Sequence, residues 1–106
     1  MRRANRLRGR LVRTQQQLER VLASRRVLAE QVAYLDEVAA DAKTRKLVAE
    51  TPLADREWRD ARRDRDRHRS LLEDADNELR ALRAETDKLL ERLLELGAEP
   101  PLRNDQ

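Results

Sequence analysis

His68 is the only histidine in the chain, and there is no cysteine. It lies beside Asp64 and Arg65 in sequence. A metal site built on it would need all its other ligands from carboxylates, whereas zinc-type sites draw on imidazole and thiolate. Catalysis needs a nucleophile with its base, or paired carboxylates facing each other in a pocket. The carboxylates here do something else. Asp55, Glu57, Asp60, Asp64 and Asp66 are interleaved with Arg56, Arg59, Arg62, Arg63, Arg65, Arg67 and Arg69. Spacings of three and four make such residues ion pairs along a helix surface. The expectation is therefore no enzyme, no cofactor and no metal, with His68 as a structural residue.

Two other groups suit binding. Trp58 is the single tryptophan. It either closes the end of a helix pair by stacking on Lys46 or stands as an aromatic anchor for a partner protein. Lys46, Asp55, Glu57 and Trp58 are the candidate partner-binding residues. Arg2, Arg3, Arg6, Arg8, Arg10 and Arg13 form a basic patch, with no acid in residues 1–13. Such a run suits nucleic acid or an acidic protein, or is answered by acids on a neighbouring helix. Nonspecific nucleic-acid binding needs a net basic surface. At a net charge of +3, nucleic acid ranks behind protein as a partner.

These residues must be positioned by helices. From Ala4 an alternating four-and-three spacing runs through Leu7, Leu11, Thr14, Leu18, Val21, Arg25, Leu28, Val32, Leu35, Ala39, Ala42, Lys46 and Ala49. A second row runs through Ala54, Trp58, Ala61, Arg65, His68, Leu72, Ala75, Leu79, Leu82, Thr86, Leu89, Leu93 and Leu96. Spacing of this kind, sustained over many heptads, is a coiled-coil seam. Between the rows lies Thr51-Pro52. Proline fits the first position of a helix and not its interior, and the threonine before it fits the N-cap. Lys43, Arg45 and Lys46 precede the break and Asp55 and Glu57 follow it, as the dipoles of an ending and a starting helix favour. The predicted fold is all-α: a long antiparallel two-helix coiled-coil hairpin over residues 1–97. Its helices cover about 4–49 and about 53–96, its tip 50–53, and residues 98–106 form a flexible tail. Gly97 fits the position after the second helix, and Pro100-Pro101 prevent its continuation.

Composition agrees. With 42% charged and 2% aromatic residues, the chain suits a long-helix class and cannot fill a conventional globular core. No apolar run approaches the roughly 18 residues of a membrane span. The arginine-rich start lacks the apolar segment of a signal peptide. A cytoplasmic location is expected, and the excess of arginine over lysine fits a GC-rich bacterial genome. A two-helix seam leaves Leu22, Leu71, Leu90 and Leu94 beside it only partly covered. They are the candidate oligomer interface, most simply of a homodimer in a four-helix arrangement.

Around the tip, Glu57-Trp58, Ala61 and Arg62 resemble the sequence after the turn in the coiled-coil hairpin of Gre-type transcript cleavage factors. Those proteins insert a hairpin tip into the secondary channel of bacterial RNA polymerase. The match covers about residues 50–62. The family's two magnesium-holding acids would fall near Thr51 and Ala54, and its C-terminal domain has no counterpart. The resemblance thus implies a polymerase-binding hairpin without cleavage activity. The leading expectation is a self-associating protein–protein interaction module that presents its tip to a partner. A regulator acting on RNA polymerase or a sigma factor is the second, and a nucleic-acid-associated protein the third.

Overall fold

The computed structural model describes residues 2–98, which form two helices, α1 (Arg2–Ala49) and α2 (Pro52–Glu95). No strand occurs among the described residues. The fold is the predicted all-α helical hairpin. No described helix is long and apolar enough to cross a membrane. The tail expected over 98–106 falls, apart from Ala98, outside the described residues, as do Pro100-Pro101.

The helix ends have identifiable causes. Glu50 adopts a left-handed φ of 50°, and its amide donates to the Lys46 carbonyl at 3.0 Å. That is the single-bond left-handed cap that closes many helices. Thr51 then caps α2: its hydroxyl oxygen accepts from the Ala54 amide at 3.1 Å, and Pro52 takes the first helical position. At the far end, Gly97 has a φ of 67°. Its amide donates to the Leu94 carbonyl at 3.0 Å, and the Ala98 amide to the Leu93 carbonyl at 3.0 Å. This paired pattern is a Schellman motif, and Ala98 packs back on the apolar cluster that includes Leu93.

The chain divides into two compact units. One takes residues 2–22 and 77–98. Ala4, Leu7, Leu11, Leu89 and Leu93 make its core, with Leu90 packed against them. Leu89 and Leu93 are the two largest fully buried side chains. Arg10 pairs with Glu85 at 2.7 Å, and Gln17 donates to Glu78 at 3.2 Å. The later residue of α1 meets the earlier residue of α2, so the pairing is antiparallel. Glu85 thus answers one arginine of the basic start, whereas Glu78 meets the neutral Gln17 amide. Asp87, Glu91 and Glu95 form no ion pair among the described residues, and Glu99 lies outside them.

The other unit takes residues 23–76. Ala39, Ala42, Ala54 and Ala75 are buried, and such small side chains let helix backbones approach closely. Arg25 donates to Asp76 and Arg69 to Asp36 at 2.8 Å, again in antiparallel order. Exposed pairs of this kind contribute about 0.2–1 kcal/mol each. Their larger effect is on which register forms.

Every buried residue named in the two units, Val21 and Leu79 included, lies on one of the two predicted seam rows. Two row members do not follow. Ala49 is exposed and Leu96 is 44% exposed. Each sits at the end of its helix, where no further turn of the partner covers it.

Candidate functional site

The tip is organised around Asp55, one turn into α2. Lys46 Nζ reaches it from the last turn of α1, 3.1 Å from Oδ1. Arg59, one turn further along α2, places Nε 3.1 Å from Oδ2. A carboxylate holding a cation on each oxygen favours its charged form. Hydrogen bonding from Lys46 is the main reason that the Asp55 carboxyl sits below its usual range; desolvation opposes this, and the positive charges of Arg59 and Lys46 add to it.

Lys46 has a second contact. Its ammonium lies 4.2 Å from the Trp58 ring centroid, and the Arg62 guanidinium lies 4.6 Å from the same centroid. Trp58 is only half-exposed. Lys46, Asp55 and Trp58 therefore come together in one network, with two cations against the ring. Glu57 is more loosely tied, with Arg45 Nε at 3.9 Å.

Sequence reasoning missed the aliphatic side chains around this network. Leu47 is 66% exposed, Val48 81% and Leu53 62%. They sit off the two seam rows, beside the turn, and their apolar character at off-seam positions was the available signal. Val48, Ala49 and Leu53 line a shallow groove with Thr51 and Glu57. Leu47 borders a second one with Glu50 and Pro52. The caps on both sides of the turn hold these side chains on regular backbone.

The remaining candidates are dispersed. Within residues 2–22 and 77–98, Leu22 is 37% and Leu94 68% exposed, while Leu90 is half-buried. Within 23–76, Leu71 is 44% exposed. In the basic patch Arg2, Arg3, Arg6, Arg10 and Arg13 are exposed and Arg8 is half-exposed. Arg10 is engaged by Glu85, and Arg8 donates to Asn5 at 3.0 Å.

His68 is turned towards its own helix. Its Nδ1 lies 2.9 Å from the Asp64 carbonyl oxygen and 3.4 Å from Asp64 Oδ1. A carbonyl can only accept, so Nδ1 carries the hydrogen. Among the described residues no group of three or more His, Cys, Asp or Glu side chains is placed to hold a metal ion. Comparison with protein families, with curated proteins and with solved structures finds no match for this chain.

Proposed function

We propose that this chain is a protein-binding helical hairpin whose tip engages a partner protein through Leu47, Val48 and Leu53. One observation carries the reading: three aliphatic side chains, 62–81% exposed, beside a turn capped on both sides. Val48 and Leu53 share one groove with Glu57 and Arg45, Leu47 lies on the neighbouring one with Glu50 and Asp55, and exposed apolar side chains beside charge favour a protein partner. The Lys46–Asp55–Trp58 network serves to hold the turn, and Trp58 contributes mainly by stiffening it. The likeness of Glu57-Trp58, Ala61 and Arg62 to polymerase-channel hairpins makes RNA polymerase or a sigma factor the first partner to test. The exposure of Leu94 beside half-buried Leu90 supports a second activity, self-association into a four-helix arrangement.

A photo-crosslinking residue at position 48 tests the tip, with the same residue at exposed position 37 as reference. In native lysate, position 48 should capture a defined protein that position 37 does not, and Leu53→Asp should abolish the adduct. The same adducts from both positions, or none, would sink the proposal.

A further inference from the structure

Arg2, Arg6, Arg13 and Arg20 stand four, seven and seven residues apart on α1. Arg2 and Arg20 are thus separated by about five helical turns, so all four side chains leave from one face. All are exposed. None has an ion pair or side-chain hydrogen bond among the described residues, in contrast to Arg10, which Glu85 holds. The first acid in α1 is Glu19. Within the basic patch Arg10 is held by Glu85 and Arg8 by Asn5, Arg3 is exposed off this face, and Arg2, Arg6 and Arg13 form a row that extends to Arg20.

Gly9 and Gln16 fall on the same face, between the arginines. Glycine weakens a helix interior, and packing does not require it here: an added Cβ would meet only the flexible end of Arg13, at 3.4 Å. Gly9 leaves bare backbone in the middle of the row.

We propose that this row is a binding stripe for the phosphate backbone of double-stranded nucleic acid. Guanidinium groups suit phosphate because they offer paired donors in a fixed plane. Each seven-residue step advances about 10 Å along the helix, close to the rise of three nucleotides on one strand. The row carries no apolar residue, so it lacks the anchors with which a helix enters a protein groove or a membrane surface. It carries no aromatic residue, so it lacks the stacking platform of single-strand binders. Guanidinium, amide and bare backbone remain, which is the chemistry of a duplex backbone read without sequence.

The test is fluorescence anisotropy of the 106-residue chain on a labelled duplex of about 20 base pairs, between about 50 and 200 mM salt. Four phosphate contacts give a slope of log affinity against log salt of about −3.6, a loss of about 150-fold over that range. R2Q/R6Q/R13Q/R20Q should remove binding while helix content by circular dichroism is retained, and R13Q alone should lower the slope by about one. R56Q/R63Q, also exposed arginines but off the row, should change nothing. No duplex binding at the lowest salt, equal effects of the two variant sets, or preferential binding to phosphatidylserine vesicles or single strands would each overturn the assignment.

Discussion

Lys46 Nζ stands 3.1 Å from Asp55 Oδ1, across the turn that joins α1 to α2. The contact ties the end of one helix to the start of the next, and its strength depends on pH through Asp55. The carboxyl is held below its ordinary range. A group whose folded pKa is depressed contributes stability above its unfolded value, and that contribution is lost as pH falls through the folded pKa. The window therefore lies below about pH 4. Thermal unfolding followed by circular dichroism should show Asp55→Asn melting lower than the parent chain at neutral pH. The two should converge as the pH drops through that window. Parallel curves throughout would show that the Lys46–Asp55 contact adds nothing to folding.

Glu50 is the one described non-glycine residue with a left-handed φ. Its side chain is exposed, so nothing in the packing requires glutamate there. A residue with a Cβ pays about 1–2 kcal/mol in this conformation, and glycine returns part of that gain as chain entropy. Glu50→Gly should stabilise the hairpin by about 0.5–1 kcal/mol. Glu50→Val should destabilise it. Urea unfolding at one fixed protein concentration decides the sign.

Thr51 is the other half of the turn. Its hydroxyl satisfies the Ala54 amide, and loss of such a cap costs about 1 kcal/mol. Thr51→Ala should show that loss in the same urea experiment, whereas Thr51→Ser should recover most of it. Equal stability of Thr51→Ala and the parent chain would mean that water replaces the cap without cost.

Much of this architecture is legible in the sequence because a seam repeats. A four-and-three spacing leaves little freedom about which face is buried, and Thr51-Pro52 marks where the chain reverses. Lys46 opposite Trp58 follows from register alone. The tip's surface is harder to read. Trp58, the largest apolar side chain, is the obvious anchor from composition, yet two cations cover its ring. Leu47, Val48 and Leu53 look ordinary in sequence because exposure at a helix end depends on the turn's geometry. The arginines pose a similar problem. Nothing in the run Arg2 to Arg13 distinguishes Arg10, which meets Glu85, from its neighbours until α2 is placed beside it.

Leu93 and Leu94 are adjacent, yet Leu93 is 0% exposed and Leu94 68%. The helix turns about 100° between them, which carries Leu94 off the seam. Leu93→Ala leaves a cavity in the cluster of Leu7, Leu11 and Leu89 and should cost about 2–4 kcal/mol. Leu94→Ala loses little buried area and should stay within about 0.5 kcal/mol in a single chain. A larger cost would require Leu94 to be covered by something outside the hairpin. Leu94→Glu, alone and with Leu90→Glu, separates these cases by sedimentation equilibrium. A drop in mass with helix content retained would place the second copy at this face. An unchanged mass would move any self-association away from Leu90 and Leu94, leaving the burial of Leu93 as a property of the hairpin alone.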